Sequence, residues 1–356
     1  MNERIYVCHT FYHVYIACLK ELNLPGAKRG EACLVLSTMS NDFGDLKARA
    51  EHSGLFRQVF IFEEKEEDFF PVFRKYYRNR GNLILNMFSR VKFCKLLGKL
   101  QEPYIPVDFR QYKDIYVFCD SDPIGYYLSW KKIYYHALED GLDCIRYYDT
   151  ARYDNRGHFG LKAFLASRNL IFIQNGWGKY CLDMEVNDIS VLEYPCPKYV
   201  ECSREKLVEN LTEADKDCLL GIFLENKERL VTQLSSGENH ENKILILTEP
   251  LCDLKTRKRI FQDIIDIYGK DAQVIMKPHP RDVLDYEAEF PDCVVLSGRF
   301  PMEMMNFLPD IRVKKVISVF TVPSSIRFAE ETVFLGEDFM DKYEAPEIHR
   351  QNEQIK

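Results

Sequence analysis

Short blocks of apolar, β-branched residues alternate with stretches of helical spacing along most of the chain. Residues 4–9 (RIYVCH) and 32–38 (ACLVLST) read as strands that end in polar residues. Between them Val14, Cys18 and Leu22 share one face, which predicts a helix over Tyr12–Leu22, stopped by Leu24-Pro25-Gly26. Residues 57–62 (RQVFIF), 113–120 (KDIYVFCD) and 132–140 (KIYYHALED) predict three more strands, with a helix from the Asp120–Pro123 cap region through about Ser129. Residues 151–240 are less regular. They hold a short apolar strand (Leu170–Ile173), a Pro-containing stretch (Tyr194–Lys198) and a helix around 212–234. The rhythm then returns: 243–250, 271–280, 293–297, 313–320 and 332–336 predict strands, and helices are expected at about 255–268, 301–308 and 324–331.

Strand, helix, strand in repeated order is the signature of a parallel α/β sheet. The small polar run Ser235-Ser236-Gly237-Glu238-Asn239 is the best linker. It divides an N-terminal Rossmann-like domain (1–235) from a C-terminal one (243–356). The expected fold is therefore α/β, two Rossmann-like domains facing across a cleft.

Composition narrows the function. At 46% hydrophobic and 29% charged residues the chain is an ordinary folded protein, not a disordered or collagen-like one. A formal net charge of −7 argues against nucleic acid as a general partner. Twelve cysteines include no C-x-x-C pair, so zinc ribbons and thioredoxin-type redox sites are not expected, and buried reduced thiols are. The longest stretch free of Asp, Glu, Lys and Arg, Ile5–Leu19, is too short to cross a bilayer and lacks a signal-peptide cleavage site. A cytoplasmic protein without its own span is expected, and the sequence leaves monomer or homodimer open.

One segment departs from this acidic background. From Phe69 to Gln101 there is no acid but eight bases: Arg74, Lys75, Arg78, Arg80, Arg90, Lys92, Lys95 and Lys99. Ile84, Met87, Val91, Cys94 and Leu97 fall at helical spacing within it, predicting a basic amphipathic helix. It is either a solvated face or, over 74–99, a peripheral contact with anionic membrane at the inner face or with a charged lipid-linked acceptor.

In open parallel sheets ligands bind beyond the carboxyl ends of the strands, so candidate chemistry is sought there. His9, Thr10 and His13 follow the first strand, and Glu139, Asp140 and Gly141 end the strand KIYYHAL. Thr248, Glu249 and Asp253 follow KILIL, Lys277-Pro278-His279-Pro280 ends AQVIM, and Ser324-Ser325 follows KVISVF. A carboxylate there can take a proton from an attacking hydroxyl. A histidine between prolines sits on stiff backbone and can meet a leaving phosphate. Ser324 and Ser325, if they open a helix, can grip phosphate oxygens. Neither a P-loop nor a G-x-G-x-x-G motif is present, and His9 and His13, an i, i+4 pair, lack an evident third metal ligand.

The order of a Glu-Asp-Gly turn, a His-Pro about 140 residues later and then a Ser-Ser pair resembles the bacterial sialyltransferases of the GT-B fold, most of all glycosyltransferase family 52, the lipooligosaccharide sialyltransferase family. The opening V-C-H-T-x-Y-H (Val7 to His13) is similar to that family's first strand and loop. The resemblance implies an inverting sialyltransferase with CMP-sialic acid as donor, a surface glycan or glycolipid of lipooligosaccharide or capsule type as acceptor, and no metal or resident cofactor. It puts Glu139 or Asp140 at the catalytic base, His279 beside the departing CMP phosphate, and Ser324 and Ser325 at the phosphate-binding pair. Donor binding falls to the C-terminal domain and acceptor binding to the N-terminal one. Asp253 is an alternative base. A first-domain acceptor favours Glu139, with Asp140 turned inward to hold the Gly141 turn. Another nucleotide sugar as donor, or a non-catalytic nucleotide- or glycan-binding protein of the same fold, are the rival readings.

Overall fold

The computed structural model describes residues 2–349 apart from 77–79, 119, 142–144, 146–157, 193–194, 236–241, 309–310 and 323–324. The chain divides into two units, Met1–Leu211 and Thr212–Lys356. Helices Glu213–Phe223 and Lys227–Ser235, read from sequence as one, lie in the second unit. Residues 236–239 of the expected linker lie outside the described residues.

The first unit is built on seven strands: β1 (Asn2–Cys8), β2 (Ala32–Ser37), β3 (Phe56–Phe62), β4 (Tyr112–Phe118), β5 (Tyr135–Leu138), β6 (Cys181–Val186) and β7 (Tyr199–Glu201). All neighbours pair in parallel, in the order β3-β2-β1-β4-β5-β6-β7. Near-continuous apolar runs suit a sheet covered on both faces. Ile5, Val7, Val35, Val117 and Ala137 bury one face against Ile124 and Leu128 of the helix Pro123–Lys131, and Tyr6, Cys8, Leu34 and Leu36 are buried too. Gly125 lets that helix start tight against the turn after β4: a Cβ there would stand 1.9 Å from the Asp120 carbonyl oxygen.

The second unit has five parallel strands, β8 (Lys243–Leu247), β9 (Gln273–Lys277), β10 (Val294–Val295), β11 (Val313–Ser318) and β12 (Ala329–Phe334), in the order β10-β9-β8-β11-β12. The helix Leu254–Tyr268 buries Ile260, Phe261 and Ile264 against Ile244, Ile246 and Met276. In both sheets the order reverses beside the first strand, between β1 and β4 and between β8 and β11. Those two crevices are where ligands of open α/β sheets bind.

Several expectations are corrected. Leu170–Ile173 is not a strand; the strand of that region is β6. The helix expected at 324–331 is replaced by β12, and that at 301–308 is the 3-10 helix Met302–Phe307. The helix Leu83–Gln101 is present, but its buried apolar side chains are Phe93, Cys94 and Leu97 among the described residues, whereas Ile84 of the expected apolar face is exposed. Arg90 turns inward, stacking on Phe93 at 4.3 Å and donating to the Tyr126 hydroxyl at 2.8 Å. Among the described residues no helix is long and apolar enough to cross a membrane, and the described cysteines are free.

Candidate active site

The β1/β4 crevice holds a buried histidine pair. The loop Cys8-His9-Thr10 ends β1, and the Thr10 side chain caps the helix Phe11–Leu22 by accepting the His13 N–H at 3.1 Å. One turn of helix brings the His13 ring back under His9, whose backbone N–H donates to His13 Nδ1 at 3.1 Å. His13 Nδ1 is thus an acceptor, which places the proton of a neutral imidazole on Nε2. Nε2 donates to the Asp140 carboxylate. The His13 ring is buried and stacks on Phe118 at 4.2 Å, and burial holds its pKa below the ordinary histidine value against the pull of Asp140.

Glu139 and Asp140 follow β5 and point opposite ways, as successive residues of an extended chain do. Glu139 is the one turned in: it is buried, its Oε2 accepts the Asn187 N–H at 2.6 Å, and burial raises its pKa although that bond and Arg204 oppose the rise. Asp140 keeps 39% of its side chain exposed. This reverses the sequence expectation that Asp140 faces inward and Glu139 outward. Gly141 follows with φ +152°, a backbone that favours glycine.

His9 is held by residues that sequence reasoning passed over. Its Nε2 meets Glu64 Oε2 at 2.6 Å, and Glu64 also accepts from the Ser37 hydroxyl at 2.7 Å and the Ile124 N–H at 2.6 Å. Asp122, at the N-cap position of its helix, makes no side-chain cap and instead stands 3.5 Å from His9 Nδ1. Burial alone would lower the pKa of His9, but Glu64 and Asp122 outweigh it and push it up to about 9. A raised histidine stabilises the fold fully below its unfolded pKa, near 6.5, and loses that contribution as pH climbs through about 9. Denaturant titrations should therefore show wild type losing on the order of 3 kcal/mol between these limits. His9→Gln should lose much less over the same interval; an equal loss in both proteins would contradict a charged His9.

The second crevice is built to a similar plan. Glu249, at the end of β8, is buried and accepts from the Phe320 N–H at 3.0 Å and the Thr321 N–H at 2.6 Å, tying the loop after β11 across the crevice. Thr248 is buried, and its hydroxyl oxygen accepts the His279 N–H at 3.2 Å. His279 Nδ1 accepts the Arg281 N–H at 3.1 Å, which leaves Nε2 as the donor of a neutral ring. Burial, then Arg281 and Lys277, lower its pKa to about 4. The turn is braced from below by Asp282, which accepts from Arg257 at 2.5 Å and from the Tyr286 hydroxyl at 2.8 Å. Pro280 lies exposed on that turn. Lys277 is buried 4.3 Å over the Phe300 ring, and burial lowers its pKa to about 7 despite nearby Glu303.

Ser324 lies outside the described residues, and Ser325 sits in a turn and opens no helix. The Ser325 hydroxyl donates to Glu303 Oε1 at 3.0 Å. Asp253 caps the helix Leu254–Tyr268, accepting from the Lys255 and Thr256 N–H groups at 3.0 and 3.1 Å and from the Thr256 hydroxyl at 2.7 Å. Those bonds, that of the Thr256 hydroxyl first, lower its pKa. Among the described residues no group of three or more His, Cys, Asp or Glu side chains is set to hold a metal ion.

Glu64, Asp122 and Glu303 were the missed residues. Glu64 and Asp122 follow β3 and β4, and their position at carboxyl ends of strands was the available signal.

Comparison with known proteins adds the following. The model described as Glycosyltransferase family 52 matches residues 59–333. A Haemophilus influenzae protein described as uncharacterized is 28% identical over 123 residues, 33% of this chain and 37% of that protein's length. The α/β-galactoside α-2,3-sialyltransferase of Photobacterium phosphoreum is similar in structure, with a TM-score of 0.53 and 13% identity over 94% of this chain and 91% of that one. The 2,6-sialyltransferase of Photobacterium sp. JT-ISH-224, in a ternary complex with CMP and lactose, has a TM-score of 0.56 and 10% identity, covering 93% of this chain and 71% of that one. At such identities the likeness is one of fold, the GT-B fold.

Proposed function

The chain belongs to glycosyltransferase family 52, and from that premise we propose that it transfers sialic acid from CMP-sialic acid to a hydroxyl of a surface glycan of lipooligosaccharide or capsule type, inverting the anomeric carbon. The observation that carries the reading is Asp140: a half-exposed carboxylate at the end of β5, aimed by a buried imidazole whose tautomer is fixed from behind.

A general base must be reachable and held in one place. Asp140 is partly exposed and fixed by His13, whereas Glu139 is buried and Asp253 has its oxygens occupied as a helix cap. The acceptor hydroxyl gives its proton to Asp140 while its oxygen bonds to the anomeric carbon. The bond from that carbon to the CMP phosphate oxygen breaks, and its electron pair stays with the phosphate. For the departing phosphate the second unit carries an Nε2–H on His279 and a Lys277 ammonium that a bound dianion would keep protonated. The 2,6-sialyltransferase of the same fold was captured with CMP and lactose, which supports a nucleotide-sugar donor and a glycan acceptor. The nucleotide sugar is a co-substrate, and the reading assigns no resident metal or cofactor.

Calorimetry with free nucleotides tests the donor assignment. CMP should bind at least about tenfold more tightly than UMP or GMP, the difference one discriminating hydrogen bond makes. Equal or tighter binding of UMP would move the donor to a UDP-sugar.

A further inference from the structure

The helix Leu83–Gln101 carries an outward face that the reaction does not use. At about 100° per residue, Ile84, Leu85, Phe88, Lys92, Lys95 and Lys99 fall within an arc of about 100°. All six are exposed, the first three at 62%, 54% and 63%. The opposite side holds Phe93, Cys94 and Leu97, buried against Phe73 and Tyr126. The face is sorted along its length, apolar over the first turns and lysine over the last, and no acid occurs between Phe69 and Gln101.

Beside it runs a groove of about 370 Å³, lined by Val91, Lys95, Tyr126, Trp130, Lys132 and Leu170. Leu170 is itself 58% exposed. The groove continues the stripe of Ile84, Phe88 and Val91, which are spaced four and three residues apart, and it is bordered by Lys95 of the same face and by one further lysine, Lys132. The helix runs alongside Pro123–Lys131 in the same direction, with Arg90 bonded to Tyr126 and Glu102 paired with Lys131. Its first two turns, N-terminal to Arg90, therefore lie toward the carboxyl edge of the first sheet, the edge that carries Asp140.

We propose that this face seats the protein on an anionic lipid bilayer, with Ile84, Leu85 and Phe88 entering the interface and Lys92, Lys95, Lys99 and Lys132 meeting headgroup phosphates. Charge decides the occupant. Exposed apolar side chains beside unbroken positive charge suit a negatively charged apolar interface and repel a second copy of the same face. Lysine stems can lie along the acyl boundary while their ammonium groups stay at the headgroups. A bilayer on this side would present a lipid-linked acceptor toward Asp140. That consequence rests on the reaction proposed above, whereas the lipid contact itself does not.

The test is co-sedimentation of the full chain with phosphatidylcholine vesicles, with and without phosphatidylglycerol, scored by protein bound and not by turnover. Wild type should bind only the phosphatidylglycerol vesicles and be released by salt. The triple reversal Lys92→Glu, Lys95→Glu, Lys99→Glu should weaken binding about 100-fold or more, at roughly fivefold per lysine. Ile84→Ser with Phe88→Ser should weaken binding about tenfold and leave its salt dependence in place. Unchanged circular dichroism melts establish that both variants fold. Absence of wild-type binding at low salt, or equal binding by the triple variant, overturns the proposal. So does conversion of a dimer to a monomer by Ile84→Ser with Phe88→Ser in a protein that ignores vesicles, which would assign the face to a second copy.

Discussion

Asparagine at position 140 is expected to cut turnover by about 10²- to 10⁴-fold while CMP affinity and thermal stability stay near wild type. The side chain keeps its size and can still accept a hydrogen bond from His13, so the fold has little to lose. What disappears is the negative charge that takes the proton of the acceptor hydroxyl. Glu139→Gln should behave differently. Its amide oxygen can go on accepting the Asn187 N–H, and since Glu139 reaches no substrate in this account, turnover should stay within about tenfold of wild type. Asp253→Asn should likewise act on the helix start and not on the chemistry. His13 is a positioning residue. His13→Ala should lower kcat and flatten or shift its pH profile, a signature that simple destabilisation would not give. A dead Glu139→Gln beside an active Asp140→Asn would return the base to Glu139.

Alanine at position 279 is expected to cost on the order of 10²-fold or more in turnover, and more in kcat than in KM. The ring is neutral near pH 7 because burial and the adjacent cations lower its pKa to about 4. Its catalytic contribution is then a hydrogen bond from Nε2–H to the leaving oxygen, which strengthens as negative charge develops there. Glutamine, which retains a donor, should restore part of the loss. Steady-state kinetics on the two variants checks this. A folded His279→Ala protein with wild-type turnover would remove the residue from the mechanism.

How far the sequence could be read follows from what each element depends on locally. Strands buried along their whole length, such as β2 and β8, declare themselves as near-continuous apolar runs, and the helix Phe11–Leu22 as spaced ones. The misreadings came at sheet margins. The strand β12, with sequence AEETVF, contains good helix formers, and only pairing with β11 makes it a strand. The strand β6 hides behind Asp183 and Glu185, which project from its less buried positions. Leu170–Ile173 looks like a strand because it is apolar, yet it is used to line a groove.

The site was legible as a set of places and not as a set of roles. That Glu139 and Asp140 point in opposite directions follows from chain geometry, but which one faces out is set by His13 and Asn187, which arrive from distant segments. Glu64 lies inside an acidic run and reads as a solvated residue until the sheet places it beneath His9. Ser325 looks like a helix cap in sequence and proves to be a turn residue bonded to Glu303.

The most direct test is CMP release, followed with the purified chain and a galactose-terminated glycan, from CMP-sialic acid and in parallel against UDP- and GDP-sugars, with the product anomer determined. The account predicts turnover with CMP-sialic acid alone, a sialylated product of inverted anomeric configuration, and loss of both in Asp140→Asn. Turnover with a UDP- or GDP-sugar in place of CMP-sialic acid, or retention of anomeric configuration, would contradict it.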